Sequence, residues 1–258
     1  MIRRLKLPRQ AKLLFWQLLA RTPFEIRRCL PAVTLKPLDL VLAGYDARGE
    51  KVTIVQVGAC DGVKHDPIHQ FVARGRSRAI LLEPNPFAFA RLQLNYAGTP
   101  NVTLIQTAIG EQDGEANLYR TKRTDEKSSE LDWVVEIASF YREHLEQHGL
   151  KAHEIERISV PCRSLSSLAA ELGLSKIDLL QIDAEGFDAA VVRMALKLAV
   201  RPDCINFEHV HLSTADRKPL FEMLKASGYL LSYDDENLLA LRASLPQATR
   251  REQTAVGA

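Results

Sequence analysis

At 258 residues, 46% of them hydrophobic and 26% charged, the chain has the composition of an ordinary globular protein, long enough for one large α/β domain with an extension or for two small domains. Its four cysteines (Cys29, Cys60, Cys162 and Cys204) are scattered with no C-x-x-C pair, which excludes the common zinc and dithiol motifs and a disulfide-stapled secreted fold, and points to a reducing cytoplasm. The net charge is only +2, but residues 1–36 carry nine Lys or Arg against Glu25 alone, which puts +8 on that segment and −6 on the remainder.

Inside the basic segment, LLFWQLLA at 13–20 is far shorter than the roughly 20 apolar residues that span a bilayer. Gln17 interrupts it and no small-residue cleavage site follows, so it does not read as a secretion signal. Two readings stay open: a helix docked on the following domain through Leu14, Trp16 and Leu18, or a surface helix on an anionic membrane face with Phe15 and Trp16 at the interface. Leu38–Ala43 is expected to be helical, and Gly44–Lys51 a polar lead-in.

From there strand and helix alternate. Thr53–Val57 reads as a strand, Pro67–Arg74 as a helix, Ala79–Leu82 as a second strand and Pro86–Tyr96 as a helix with proline at its start. Val102–Gln106 is a third strand, and Ala108–Gly110 and Ala116–Tyr119 flank a polar turn at Asp113 and Gly114. Residues 121–150 break the rhythm: TKRTDEKSSE has no apolar period, a helix is expected over Leu131–His148, and the segment reads as a lid insertion. The pattern resumes with a strand at Arg157–Pro161, a serine-capped helix at Ser164–Leu172, a strand at Ile177–Ile182 and a helix at Phe187–Ala199. Then come a strand at Cys204–Val210, a helix at Thr214–Ser227 stopped by Gly228, and a closing hairpin of Tyr229–Tyr233 with Leu238–Arg242. The expected organisation is a basic helical extension over 1–48, an α/β domain with a mostly parallel sheet and helices on both faces over 49–243, and a disordered tail over 244–258.

Two segments carry most of the chemistry. VTIVQVGACDG (52–62) brings an apolar strand into a turn bearing Gly58 and Gly62, and AILLEPNP (79–86) ends a second apolar strand on Glu83. In a doubly wound sheet those strand ends lie side by side at the ligand crevice, where glycines let backbone approach and a carboxylate accepts both ribose hydroxyl protons. The turn is G-x-x-x-G and lacks the further glycine of dinucleotide folds, whose pyrophosphate packs on a helix N-terminus. S-adenosylmethionine has a ribose and no phosphate, and suits this sparser loop.

In order along the chain, VQVGACDG, LLEPNP, LLQIDAEGFD and INFEHVHL resemble the FkbM family of S-adenosylmethionine-dependent methyltransferases, over roughly residues 52–242. The resemblance implies a class I methyltransferase (Rossmann-like) fold: a seven-stranded, mostly parallel sheet with an antiparallel last strand, and O-methylation of a sugar, glycolipid or polyketide-like hydroxyl. Cys60 stands where family patterns often have Asn, and Gln181 where they often have Lys, which removes a cation near Asp183. Gly58, Asp61 and Gly62 are then expected at the methionine half of the cofactor, with Asp61 on its ammonium; a turn residue bonding its own backbone is the alternative for Asp61. Glu83 is expected on the ribose, and Thr107 and Ala108 at the adenine.

Asp183 and Glu185 alternate on an extended chain and so share a side, next to the transferred methyl. One would orient the acceptor hydroxyl and the other hold a loop amide; Asp183 capping the next helix is the alternative. Glu208, His209 and His211 close the fifth strand, and the two histidines share a face if the strand continues. An imidazole with an ordinary pKa near ~6.5 is a suitable base for a hydroxyl proton, so His209, His211 and Asp183 are the catalytic candidates, with Glu185 and Glu208 on the acceptor. His65 and His69 read as helix-surface residues. Mg²⁺ binds through one or two carboxylates, but nothing in this spacing requires a metal. The expected partner is a small-molecule, glycan or lipid acceptor, with no nucleic acid and with peripheral membrane contact through the basic N-terminus. An NAD-dependent or nucleotide-sugar oxidoreductase is the competing enzyme class, disfavoured by the missing glycine and by the absence of a Tyr-x-x-x-Lys pair. A membrane-associated protein that keeps a cofactor pocket without turnover is the non-enzymatic one.

Overall fold

The computed structural model describes residues 35–122 and 137–243 of the chain. The basic segment at 1–34, the first part of the expected Leu131–His148 helix and the tail from residue 244 lie outside the described residues. The strands are β1 (Thr53–Val57), β2 (Arg78–Leu82), β3 (Val102–Ile105), β4 (Ala108–Gly110), β5 (Gly114–Thr121), β6 (Ala138–Ser139), β7 (Ile155–Ser164), β8 (Leu179–Ile182), β9 (Cys204–Glu208), β10 (Tyr229–Tyr233) and β11 (Asn237–Arg242). The helices are α1 (Pro37–Arg48), α2 (His69–Val72), α3 (Pro86–Asn95), α4 (Arg142–Gln147), α5 (Leu165–Glu171), α6 (Asp188–Lys197) and α7 (Thr214–Ala226). Among the described residues no helix is long and apolar enough to cross a membrane.

Seven strands form the main sheet in the order β10–β11–β9–β8–β1–β2–β3, with β11 antiparallel to both neighbours and the remaining pairs parallel. The parallel strands are near-continuous Val, Ile and Leu because both faces are covered, as parallel pairing demands. One face carries Val55, Val57, Leu180, Ile182, Ile205 and Phe207 against buried residues of α5, α6 and α7. The other carries Ile54, Leu81, Leu179 and Cys204 against α1, α2 and α3. Each such large side chain, fully buried, stabilises the fold by about 1.5–3 kcal/mol.

Local signals set several boundaries. Asn85 Oδ1 accepts the Phe87 amide (3.2 Å) and Pro86 opens α3, while Ser164 Oγ accepts the Ser167 amide (3.2 Å) at the start of α5. Other expectations are corrected. Gly44–Arg48, read as polar lead-in, continues α1, because Leu42 and Tyr45 are buried and Gly49 supplies the left-handed stop at φ 64°. The helix expected over Pro67–Arg74 is the single turn His69–Val72. Within 137–150 the chain is not one helix: Ala138–Ser139 pairs with β5, and only Arg142–Gln147 is helical. The strand at Arg157–Pro161 runs from Ile155 to Ser164, and β4, β7, β5 and β6 form a second, four-stranded sheet that the alternation of elements does not announce.

Candidate active site

The carboxyl ends of β1, β2, β8 and β9 border a cavity of about 290 Å³, close to the lower end of small-molecule sites. Its near wall is the glycine turn. The Gly58 and Ala59 amides both donate to the Leu82 carbonyl (3.0 and 2.9 Å), which ties the turn to β2. Gly58 has φ 77°, and a Cβ there would lie 1.7 Å from the Asp183 carbonyl oxygen, so only glycine lets the β1 turn lie against the end of β8. Among the described residues four non-glycine residues have positive φ, and three of them (Cys60, His65 and Glu185) line this cavity. Backbone held in such conformations concentrates at functional sites.

Glu83 is 5% exposed and faces the cavity. Its Oε2 accepts the Cys60 amide (2.8 Å) and its Oε1 the Asn85 amide (2.7 Å), so the carboxylate braces the glycine turn and is fixed in direction. Thr107 and Ala108 also line the cavity, with the Thr107 hydroxyl donating to backbone at Ala108 (3.1 Å) and Pro161 (3.2 Å).

Asp61 and Gly62 are not brought to the cavity wall. Asp61 Oδ1 accepts the amides of Val63 and Lys64 (2.8 Å each), the self-bonded turn that Asp forms readily. At Gly62 a Cβ would meet Leu92 and Tyr96 at 2.5 Å, so this glycine serves the packing of α3.

At the acceptor side, Asp183, Glu185, Glu208 and His211 line the cavity together. His209 does not: its Nε2 bonds the Asp234 carbonyl (3.1 Å), and its amide donates to the Glu236 carbonyl (3.0 Å). Strand β9 stops at Glu208 and the chain turns, so the shared face expected for His209 and His211 does not form. His211 Nε2 lies 3.5 Å from Glu208 Oε1.

The insertion adds residues that strand-end reasoning missed. His144 Nε2 bonds Glu185 Oε2 (2.7 Å), and Ser139 Oγ donates to the Glu185 carbonyl (2.7 Å). The rings of His144, His148 and His211 cluster with centroids 4.5–5.6 Å apart. The i, i+4 spacing of His144 and His148, one helical face, was the available signal. His65, read as a surface residue, lines the cavity, and His69 Nδ1 pairs with the Tyr96 hydroxyl (3.1 Å). Among the described residues no group of three or more His, Cys, Asp or Glu side chains is arranged to hold a metal ion.

These acids repel one another inside the fold. Asp183 is open to the cavity but otherwise enclosed, and burial, then Glu185, Asp188, Glu208 and Glu83, push its carboxyl well above the ordinary range. Burial pushes Asp188 up to about 6, and burial with Asp188 and Glu185 pushes Glu208 up to about 7. Burial, His144 and His148 hold the His211 imidazole below its usual value. A carboxyl whose folded pKa lies above its unfolded value of ~3.9 binds its proton more tightly when folded, so its ionisation costs stability as pH rises from about 4 through the folded pKa. Asp183→Asn removes that ionisation. Its melting temperature should exceed that of the unmodified protein at pH 8 by more than at pH 5; a gain equal at both pH values would contradict the raised carboxyl.

A parallel sheet with one antiparallel strand near its edge, a glycine turn after β1 and a carboxylate ending β2, all facing one cavity, define the Rossmann-like fold of the class I methyltransferases. Residues 56–235 match the model of the methyltransferase FkbM domain, so the chain belongs to that family. The 2-O-methyltransferase NoeI of Sinorhizobium fredii (strain NBRC 101917 / NGR234) is 27% identical over 139 residues, 54% of this chain and 55% of NoeI, so the match spans about half the length of that curated relative. Among solved structures, methyltransferase FkbM from Methylobacillus flagellatus KT aligns at TM-score 0.44 and 14% identity, over 74% of this chain and 43% of its own. An O-methyltransferase from Bacillus cereus in complex with SAH aligns at TM-score 0.39 and 17% identity, over 90% of each chain. At those TM-scores the likeness adds nothing to what the strand order already states.

Proposed function

We propose that the protein transfers the methyl group of S-adenosylmethionine to a hydroxyl of a sugar, glycolipid or polyketide-like acceptor. The carrying observation is the division of one cavity into two chemical halves. The half at β1–β2 has the Gly58 cradle and the buried, fixed Glu83 carboxylate that suit a nucleoside, and Thr107 and Ala108 on its wall would border the adenine. The half at β8–β9 has Asp183, Glu185, Glu208 and His211, acceptors and a base suited to a hydroxyl. The likeness to a 2-O-methyltransferase favours an oxygen acceptor. The acid lining favours a neutral polyol over an anion, because like charges at short range in a low dielectric repel strongly.

When bound, S-adenosylmethionine supplies an electrophilic sulfonium methyl. The protein's part is to hold the acceptor oxygen in line with it, which accounts for much of the catalysis, and to take the hydroxyl proton. In this reading Asp183 orients the hydroxyl, Glu185 and Glu208 bind the acceptor, and neutral His211 accepts the proton at Nε2 beside Glu208. Calorimetry with S-adenosylmethionine against NAD, followed by assay of S-adenosylhomocysteine production with candidate polyols, tests the proposal. Binding without turnover would leave a cofactor-binding protein; preference for NAD would end the reading.

The insertion serves as the lid. Ser139 and His144 grip Glu185 at the acceptor end. His144→Ala should therefore raise the acceptor KM about tenfold, the effect of losing a hydrogen bond to a charged group, with S-adenosylmethionine affinity unchanged. Equal loss of both affinities would count against a lid.

A further inference from the structure

β10 is the outer strand of the seven-stranded sheet and, among the described residues, pairs only with β11. The Ala243 amide donates to the Gly228 carbonyl (2.9 Å), and the Asp234 amide to the Asn237 carbonyl (3.0 Å). Antiparallel strands exchange hydrogen bonds at every second residue, so the even positions of β10 bond β11. Tyr229, Leu231 and Tyr233 therefore turn their backbone N–H and C=O groups outward. Edges of this kind are commonly blunted by Lys, Pro or a bulge. Tyr229–Tyr233 reads YLLSY, with no charge, no proline and an unbroken register.

The side chains along this edge are apolar and open. Leu230 is 65% exposed and its cross-strand neighbour Leu241 41%, both on the sheet face that carries α1. Tyr233 is 71% exposed on the opposite face, the one that carries α7. Exposed apolar side chains beside open backbone groups mark an interaction surface.

The charges at the two ends of the strand select the occupant. At the Tyr233 end lie Asp234 and Asp235, which have no ion pair among the described residues, and Glu236, which meets Lys36 (3.1 Å). At the Tyr229 end lie Lys225, bonded within α7 to Glu222 (3.1 Å), and Arg242, paired with Asp203. An added strand fits best if it is apolar, runs antiparallel and brings a basic end to the acidic turn. β10 of a second copy of this chain is such a strand.

We propose that β10 pairs with β10 of a second copy about a two-fold axis at Leu231. Leu231 then faces the partner subunit's Leu231, and Tyr229 faces the partner subunit's Tyr233. The outward backbone groups of both strands are met at once, and the tyrosine pairs add cross-strand contacts. The acidic turn of each copy meets the basic end of the other. The axis runs perpendicular to the sheet, so the two sheets become one and the two cavities open at opposite ends. A five-residue seam is short, so the dimer is expected to form with rising concentration rather than to be obligate.

Sedimentation velocity of the full chain over a wide concentration range tests this, and the mass is expected to double toward the upper end. Tyr233→Lys and Leu230→Lys, each at an exposed side chain, put a charge on the seam. Both should keep the chain monomeric with the melting temperature of the unmodified protein at low concentration. Cysteine cross-linking reads the register. Directly opposed residues lie about 5.5 Å apart at Cα, within disulfide reach, so Leu231→Cys should give a linked dimer under mild oxidation. Leu230→Cys should stay near the level of the unmodified chain, because position 230 faces the partner subunit's Ser232. A monomer at every concentration, a dimer that survives both lysine variants, or linking through Leu231→Cys no greater than through Leu230→Cys would each overturn the proposal.

Discussion

Replacing Glu83 by alanine is expected to weaken S-adenosylmethionine binding at least tenfold while the chain stays folded. A hydrogen bond to a charged group contributes about 1.5–3 kcal/mol, and a tenfold change in affinity is about 1.4 kcal/mol, so the loss of even one ribose contact reaches the threshold. The structure adds a second route to the same result. Glu83 holds the Cys60 and Asn85 amides, so the alanine variant also releases the glycine turn that forms the cofactor wall. Glu83→Gln separates the two routes, because its one remaining oxygen can brace a single amide while its NH₂ opposes the other. Calorimetry reads both variants. Unchanged affinity in Glu83→Ala would rule out both routes, and with them any part for Glu83 in cofactor binding.

His211→Ala is expected to lower kcat about 100-fold or more with cofactor affinity intact, the usual contribution of a positioned base. His209→Ala should leave kcat near normal, since that ring is turned to the Asp234 carbonyl and away from the cavity. Protonated imidazole cannot accept a proton, so the rate falls as pH drops through the His211 pKa. Burial and the neighbouring histidines hold that value below the ordinary ~6.5, and the fall belongs on the acid side of it. The competing base is Asp183, and the structure makes it a stronger competitor than its residue type suggests, because its carboxyl is pushed well above the ~3.9 of an ordinary aspartate. Asp183→Asn with a collapsed kcat, beside a His211→Ala variant of near-normal kcat, would transfer the role to Asp183.

The features legible in the sequence are those whose environment is local. Runs of Val, Ile and Leu with helices between them can pair only as parallel strands covered on both faces, and the order of those elements puts Gly58, Glu83 and Asp183 at strand ends on one side. No long-range information is needed for that. The serine and asparagine caps are equally local, each a side chain bonding an amide two or three residues on.

Beyond the strand ends the period of two no longer applies, and only the folded chain decides where a side chain points. The backbone leaves β9 after Glu208, so His209 turns to the β10–β11 connection and His211 to the cavity. In the loop after β1, left-handed residues at Cys60, Gly62 and His65 reorient the chain within six positions, giving Asp61 to its own turn and Asp66 to the cavity lining. The second sheet and the grip of His144 on Glu185 join residues 41 to 48 positions apart, as Gly114 pairs with Cys162 and His144 with Glu185. Such contacts depend on loop closure and on the shape of the whole core, which a local pattern of apolar and polar residues does not encode.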